Sequence, residues 1–332
     1  MGLIALGIWG MLAIWFRSPW PETSRSLLAA AYFIALVIAA ASVLVHSKKR
    51  FTLPIAYLCI LSVIAWWSSI DPSDRRDWAA DVARRSVVTI KKDEIEVINV
   101  RNFQWSGPET GEPRWETRYY KASELRTIDL FLSHWTGPSI AHTIVSFGFE
   151  DGRQLAFSVE IRRERGESYH PLAGFFKQYE LAVVAADEAD IIKVRTNRRD
   201  EDVYRYRIDV KPENALRLFR QYADLTQSLD RMPQFYNTLT TNCTTAPFSM
   251  IRALEPQDFP WDWRVLASGH APEYLYDRGF IERNGPFSEL RAKARITQVA
   301  RDAENHPDFS AAIRGQTQRS DNIPVFRFPR SG

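Results

Sequence analysis

Three apolar stretches in the first 70 residues constrain this chain more than any other feature. Residues 26–45 (SLLAAAYFIALVIAAASVLV) and 51–70 (FTLPIAYLCILSVIAWWSSI) each run for 20 residues without a charged side chain. About 20 apolar residues cross the hydrocarbon core of a bilayer. Residues 1–16 form a shorter stretch with Trp15 and Trp20 as candidate interfacial anchors. We therefore predict three transmembrane helices in residues 1–70 and not a cleaved signal peptide.

The loop between the second and third stretches is basic, with the sequence HSKKR at residues 46–50. Short basic loops stay in the cytoplasm. This orientation places the N-terminus inside and everything after about residue 70 outside, which in a bacterial inner membrane is the periplasm. The prediction is a multi-pass inner-membrane protein with a periplasmic domain at residues 71–315 and a polar tail at residues 316–332.

The positive charge of the chain is concentrated beside the apolar stretches. Residues 1–50 sum to +4 and the whole chain to +3, so the remainder carries −1. Nucleic-acid-binding domains present a basic patch or stripe. The charge distribution therefore argues against a nucleic-acid partner for the part outside the membrane.

Beyond residue 70 the pattern changes to short alternating segments followed by helical periodicity. Residues 71–85 are expected to form an amphipathic connector and residues 106–116 a loop. Strands are predicted at residues 91–105, 125–134, 141–149, 154–163, 191–195 and 203–210. Helices are predicted at residues 212–230, after Cys243, and at residues 288–303. The fold class predicted is α+β, with an antiparallel sheet packed against helices.

The stretch YNTLTTNCTT (residues 236–245) holds Cys243, whose only companion in the chain is Cys59 in the third apolar stretch. Cys243 can be a buried core residue, the centre of an Asn-Cys-Thr glycosylation sequon, or a nucleophile. Composition by itself favours a buried residue. Proline is tolerated only in the first turn of a helix, so Pro247 predicts a helix cap at Thr244 or later, with Cys243 at the helix start. A thiol in that position can act as a nucleophile when a base lies beside it.

The base must come from His134, His142, His170, His270 or His306. His142 begins a predicted strand, which is a rigid place for a base. Counting across the hairpin turn places Glu160 opposite residues 142–143, where a carboxylate could orient the imidazole. His134 and His170 compete with His142 for the role.

The segment EIRRERGE (residues 160–167) contains Arg162 and Arg163 as candidates for binding anionic lipid head groups. A solvated, charged strand edge is the alternative interpretation. The sequence contains no ligand spacing typical of zinc, so neither a metal nor a cofactor is expected.

Four segments together resemble the periplasmic domain of the Lnb-type bacterial lipoprotein N-acyltransferases. The most specific is FYNTLTTNCTT (235–245), in which the family carries a Tyr-Asn…Asn-Cys-Thr signature. SIAHTIVSF (139–147) matches the histidine strand, with Ala141 where many members have glycine. FSVEIRRERGESY (157–169) and YELAVVAADEADIIKVRTNRR (179–199) match the region between.

The resemblance implies a permuted papain-like domain in which Cys243 is the nucleophile and His142 the base. It also implies oxyanion or positioning roles for Asn242 and Tyr236. The implied reaction moves an acyl chain from a phospholipid or lipoprotein ester, through a cysteine thioester, to the N-terminal amine of a lipoprotein. Alternatives are a lipid-ester hydrolase, a cysteine amidase or peptidase acting on cell-wall peptides, and a non-catalytic membrane-anchored binding module.

Overall fold

The computed structural model describes residues 2–42, 49–254 and 259–315. The predicted tail at 316–332 and most of the predicted cytoplasmic loop lie outside the described residues. The chain divides into two compact units. The first unit comprises Met1–Arg85, Val159–Ala182 and Gln227–Ala246, and the second comprises Ser86–Ser158, Val183–Thr226 and Pro247–Gly332. The predicted boundary at residue 70 therefore lies inside the first unit.

The three apolar stretches of the first unit form helices. Their bounds are α1 (Gly2–Arg17), α2 (Glu22–Ser42) and α3 (Lys49–Ser68). Tyr32 and Leu36 of α2 are buried in one cluster with Ile14 of α1 and Ile60 of α3. Gly10 gives the ring of Tyr32 the room to pack against α1. Close packing at small residues is typical of membrane helices.

The outer surface of this helix cluster is apolar. Large apolar side chains on α2 and α3 that are more than half exposed are Leu27, Ile34, Ile38, Ile55, Tyr57, Leu58 and Leu61. Among the described residues, α2 is the one helix long and apolar enough to cross a membrane by length and composition. The other two are shorter as apolar helices, Gly2–Arg17 and Thr52–Ser68. The predicted count of three membrane spans is therefore not confirmed.

The connector predicted at residues 71–85 follows α3 and is mostly irregular. It contains a single 3-10 turn, Ala80–Val82, and otherwise runs beside the segment that follows the eighth strand. The backbone N–H of Ala79 donates to the carbonyl of Arg163, and that of Arg165 donates to the carbonyl of Asp77. These backbone bonds hold the connector against residues 163–165.

The second unit is built on a mostly antiparallel sheet. Within the described residues the strands are β1 (Val87–Lys91), β2 (Glu94–Arg101), β3 (Gln104–Trp105), β4 (Gly111–Glu112), β5 (Trp115–Lys121), β6 (Leu125–His134), β7 (His142–Phe149), β8 (Gln154–Arg162), β9 (Glu180–Ala186) and β10 (Asp202–Ile208). The main sheet has eight strands in the order β1-β2-β9-β8-β7-β6-β10, with β5 paired to β2, while β3 and β4 form a separate pair. The division between units falls within β8 and β9.

The predicted hairpin between β7 and β8 is confirmed. Val145 pairs with Phe157 and Gly148 with Gln154 in one antiparallel register. The turn contains Gly152 at a φ of 87°, a conformation that suits glycine. This register fixes which side chains of the two strands share a face.

The strand predicted at residues 191–195 is wrong. Those residues belong to α4 (Glu188–Ile191), which the side chain of Asp187 caps, and to a π-helical turn, Val194–Arg198. The strand of this region is β9, in which all seven residues are buried. An uninterrupted apolar run does not distinguish a buried strand from a buried helix, so the pattern placed the strand too late.

Helices cover the sheet of the second unit and continue to the end of the described chain. They are α5 (Pro212–Arg231), α6 (Thr245–Leu254), α7 (Ala271–Asp277), α8 (Phe287–Ala294), α9 (Thr297–Asp302) and α10 (Phe309–Ala312). The predicted apolar face of α5 is confirmed, since the Phe219 ring lies 5.0 Å from that of Phe147 and the Tyr222 ring 4.9 Å from that of Phe157. The helix predicted at residues 288–303 is interrupted because the N–H of Ile296 donates to the carbonyl of Val203.

Candidate active site

Hydrogen bonds of Asn237 close the turn that precedes Cys243. Asn237 and Thr241 exchange backbone hydrogen bonds of 3.2 and 3.0 Å. The Asn237 Oδ1 atom also accepts the N–H groups of Leu239 and Thr240. The loop is therefore a defined turn that leads directly into the cysteine.

Asn242 joins this loop to the start of α6. Its Oδ1 atom accepts the N–H groups of Thr244 and Thr245, both at 2.8 Å, and its own N–H donates to Thr245 Oγ1 at 2.9 Å. Such reciprocal bonds cap a helix N-terminus. The predicted helix after Cys243 is confirmed as α6, with Pro247 in its first turn. Cys243 is partly exposed and lies within this cap, where the helix dipole favours negative charge.

The cap also defines the contribution of Asn242. Its Nδ2 atom donates to the carbonyl of Thr238 at 2.6 Å while its oxygen holds the helix start. The Asn242 side chain therefore joins the cysteine loop to the start of α6. Its expected oxyanion or positioning role in a reaction stays a prediction.

Tyr236 is buried beside the cysteine loop in the first unit. Its N–H donates to the carbonyl of Tyr179, and a side chain at Gly174 would lie 3.2 Å from its ring. Burial raises the pKa of Tyr236 well above its ordinary value, and the nearby Cys243 and Tyr169 raise it further. The phenol, which is protonated near neutral pH even at its ordinary pKa, therefore stays protonated to still higher pH.

Tyr169 and Glu160 belong to the same surroundings. Burial and the neighbouring Cys243 raise the pKa of Tyr169, and Glu160 contributes to the raised pKa of Tyr236. The first unit thus brings together Cys243, Asn242, Tyr236 and Glu160 from the predicted site. Tyr169 was not predicted, although it lies at the end of a segment that carried the family resemblance.

His142 lies in the second unit, at the start of β7. It is 8% exposed and pairs with Ser133 of β6. Its Nε2 atom is 2.6 Å from the Oγ atom of Ser158, a fully buried residue of β8. Because Ser158 precedes Glu160 by two residues, both point to the same face of the strand. The Ser158 hydroxyl is thus one hydrogen-bond partner of the imidazole, and the orienting role expected of Glu160 stays a prediction.

A second serine holds the backbone just before His142. Ser268 Oγ donates to the carbonyl of Ala141 at 2.7 Å and accepts its N–H at 2.8 Å. The N–H of the next residue, Gly269, donates to the carbonyl of Ser139. A side chain at Gly269 would collide with this backbone. No sequence pattern linked residues 268–269 to the histidine strand, because the contact spans more than 120 residues.

The two competing histidines have other surroundings. In the second unit, burial lowers the pKa of His134, whose ring packs 5.4 Å from that of Tyr204. In the first unit, His170 is exposed, its Nδ1 atom accepts the N–H of Leu172, and its ring lies 5.3 Å from Phe16. These contacts give both histidines a structural explanation.

Arg162 and Arg163 are held by internal partners in the first unit. Arg162 is 4% exposed and donates to Asp74 and to the carbonyls of Val82 and Ala83. Arg163 pairs with Asp81 at 3.2 Å. The structure favours a structural role for both guanidinium groups over the predicted binding of lipid head groups. Within the described residues, no group of three or more His, Cys, Asp or Glu side chains is arranged to hold a metal ion.

Comparison with known proteins gives one family match. Residues 111–269, just under half of the chain, match the family described as the Lnb N-terminal periplasmic domain. The match includes both His142 and Cys243, and it supports the Lnb family. No curated protein and no solved structure matches the chain. The family and the apolar helix α2 fit a membrane-anchored protein with a periplasmic domain.

Proposed function

We propose, from this match to the Lnb periplasmic domain, that the chain is a membrane-anchored thiol acyltransferase of the permuted papain-like type. The observation that carries the proposal is the position of Cys243. It lies in an Asn242-capped helix start, beside the buried neutral phenol of Tyr236, in the same compact unit as the apolar helices. A lipid ester is the acyl donor in this proposal and the N-terminal amine of a lipoprotein is the acceptor.

The proposed reaction has two steps. The Cys243 thiolate attacks the ester carbonyl, a thioester forms, the ester C–O bond breaks, and the leaving alcohol takes the proton that His142 received from the thiol. The acceptor amine then attacks the thioester and gives its proton to His142, the amide forms, and the thiol is regenerated. Ser158 orients the imidazole through its contact with Nε2.

Negative charge develops on the carbonyl oxygen in both steps. The Tyr236 O–H, a protonated phenol buried beside the cysteine loop, is proposed to donate to this oxygen. Donors fixed beside a developing oxyanion are usually a large part of catalysis. Glu160 is proposed as a further group that orients the imidazole of His142.

The three N-terminal helices are proposed as a multi-pass anchor in the bacterial inner membrane, with the rest of the chain in the periplasm. The exposed leucine and isoleucine side chains of α2 and α3 support a lipid environment. α1 has 16 residues and spans about 24 Å at the rise of an α-helix, which is shorter than a typical hydrocarbon core. Local thinning of the bilayer accommodates such a helix at a modest cost.

The test uses the full-length protein in phospholipid vesicles with a diacylated lipopeptide as acceptor. Mass spectrometry of the intact protein measures a hydroxylamine-sensitive acyl adduct and the N-acylated product. Wild type and Cys59→Ser are expected to form both. Cys243→Ala and His142→Ala are expected to lose at least about a thousandfold in rate, because the nucleophile and its base act together.

The same assay separates the alternatives. Absence of an adduct together with absence of N-acylated product overturns the acyltransferase proposal, as does full activity of Cys243→Ala. Fatty-acid release without transfer identifies a hydrolase. In a parallel incubation with cell-wall fragments, release of peptides identifies the amidase or peptidase.

A further inference from the structure

Two loops beside Cys243 expose large apolar side chains. Tyr169 is 44% exposed, and Leu172 and Leu239 are each 49% exposed. The loops are joined, since Thr238 Oγ1 donates to the carbonyl of Pro171 at 2.9 Å. We call the exposed side chains of Tyr169, Leu172 and Leu239 the loop surface. All three belong to the first unit, as does Cys243.

The segments that form the loop surface carry no charged residue. Residues 232–251 contain no Asp, Glu, Lys or Arg, and neither do residues 168–176. Charged residues make up 25% of the chain, so 20 consecutive uncharged residues in a partly exposed region need a physical reason. Exposed apolar surface without charge fits insertion into lipid better than contact with water.

The first of these loops is fixed to the ends of the apolar helices. The Phe176 ring stacks on Phe16 of α1 at 5.6 Å and meets Trp67 of α3 at 6.2 Å. Lys177 Nζ donates to the carbonyls of Trp67 and Ile70, at 2.9 and 3.0 Å. The loop surface is therefore continuous with the end of the helix cluster, and its height relative to the helices is set by these contacts.

The same end of the cluster is rich in tryptophan. α1 ends just after Trp15, Trp20 lies between α1 and α2 with 53% of its surface exposed, and Trp66 and Trp67 lie in the last turn of α3. Tryptophan is enriched at the boundary between hydrocarbon and head groups. The aromatic residues place this boundary at the helix ends to which the loop surface is attached.

We propose that the loop surface inserts into the periplasmic leaflet of the phospholipid bilayer beside the helices. Cys243 is thereby held at the depth of the glycerol esters. The insertion follows from the contacts within the first unit, whereas its use in presenting an ester to Cys243 rests on the proposed function.

The experiment measures depth in the bilayer without measuring catalysis. The full-length chain with Cys59→Ser and Cys243→Ser receives one new cysteine, Leu172→Cys or Leu239→Cys, labelled with an environment-sensitive fluorophore. Vesicles of phosphatidylethanolamine and phosphatidylglycerol contain a lipid with a nitroxide at carbon 5 of the acyl chain. Leu58→Cys on α3 is the control within lipid, and Val299→Cys on α9, also an exposed apolar residue of similar exposure, is the matched control in the second unit.

Labels at residues 172 and 239 are expected to be quenched several-fold more strongly than the label at residue 299, and to have blue-shifted emission. Quenching equal to that at residue 299 overturns the proposal. A blue shift in emission that appears only after a diacylated lipopeptide is added also overturns the proposal, and it assigns the loop surface to that substrate. Because these chains lack the nucleophile, either outcome is independent of whether wild type transfers acyl chains.

Discussion

The two units of this protein bury their carboxylates in opposite ways. In the second unit, Asp129 is fully buried, and burial raises its pKa, but the guanidinium groups of Arg314, Arg207 and Arg205 outweigh burial and lower the pKa overall. In the first unit, Glu180 is also fully buried, and burial raises its pKa despite the neighbouring Arg76.

The cores of the units also differ. The first unit packs Ile14, Tyr32, Leu36 and Ile60 between its helices, whereas the second packs the rings of Phe147, Phe157, Phe219 and Tyr222 against one another on its sheet. In the second unit, arginine side chains neutralise the buried carboxylate of Asp129. That unit provides a rigid strand for His142, while the surroundings of Cys243 depend on loops and on the helix cluster.

The largest expected effect comes from breaking the charge network of the second unit. Arg314 is 4% exposed at its side chain and binds both Asp129 and Glu188 at 2.7 Å. Arg314→Met leaves buried carboxylates without their main partner, which is expected to lower the free energy of unfolding by about 3–5 kcal/mol. Thermal unfolding of the full-length protein measures the loss.

Arg207→Met is the matched control, because Arg207 binds the same Asp129 but is 44% exposed. Its expected cost is below about 1 kcal/mol, as for other exposed ion pairs. Equal losses in the two variants would contradict the claim that burial of the network stabilises the second unit.

A smaller effect is expected at Tyr236, on catalysis and not on folding. Tyr236→Phe keeps the ring packed beside Gly174 and removes the hydroxyl donor. If that hydroxyl stabilises the oxyanion, the rate of acyl-enzyme formation falls by about 10²–10³-fold with little change in the unfolding temperature.

Tyr179→Phe is the control for the loss of a buried tyrosine hydroxyl. Tyr179 donates to the carbonyl of Ser168 and accepts the N–H of His170, so its hydroxyl has structural partners. Its removal is expected to lower the unfolding temperature. A Tyr236→Phe enzyme with unchanged rate would remove Tyr236 from the proposed mechanism.

Ser158 tests whether the second unit supplies an oriented imidazole. Ser158→Ala removes the partner of His142 Nε2 and is expected to lower kcat by about 10- to 100-fold, through loss of orientation. The acidic limb of the kcat/KM profile is expected to move to lower pH, because the imidazolium loses an acceptor. Ser158→Thr restores the hydroxyl and is expected to recover part of the rate.

Ser146→Ala provides the comparison for a buried serine of the same sheet. Ser146 is fully buried on β7, and its hydroxyl donates to Glu188 at 2.6 Å. This variant is expected to be less stable but to keep the pH profile of wild type. If both serine variants change stability alone, Ser158 is structural and not a positioning residue.

Features that depend on residues close in sequence were predicted, whereas features that depend on residues far apart in sequence were not. The β7–β8 hairpin, the apolar face of α5 and the helix start after Cys243 depend on residues close in sequence, and all three were predicted correctly. The strand β9 was missed because a fully buried strand has no alternation. The backbone partners of the connector at residues 71–85 were not predicted, because they lie near residue 163, far away in sequence.

The candidate site shows the same division. The oxyanion or positioning role of Asn242 was implied by the family resemblance and stays a prediction, whereas its hydrogen bonds with Thr244 and Thr245 are local. Ser158 and Ser268 were not predicted, since their contacts with His142 and Ala141 depend on strand register and on a distant loop. The effect of Cys243 on the pKa of Tyr169 was not predicted either, because these residues are far apart in sequence.

The smallest expected effect sharpens the contrast between the buried carboxylates. Because the folded-state pKa of Glu180 is raised above 4.5, its protonated form favours the folded state, and that stability is lost as pH rises through the raised pKa. The lowered pKa of Asp129 has the opposite sign, so its stability is lost only as pH falls below 3.8. Above pH 4.5 only Glu180 of these two carboxylates titrates.

Glu180→Gln is therefore expected to flatten the fall of the unfolding temperature with rising pH above 4.5. Glu164→Gln, which alters the other carboxylate paired with Arg76, should retain the wild-type slope. Parallel curves for wild type and Glu180→Gln would show that the first unit neutralises its buried carboxylate as fully as the second does.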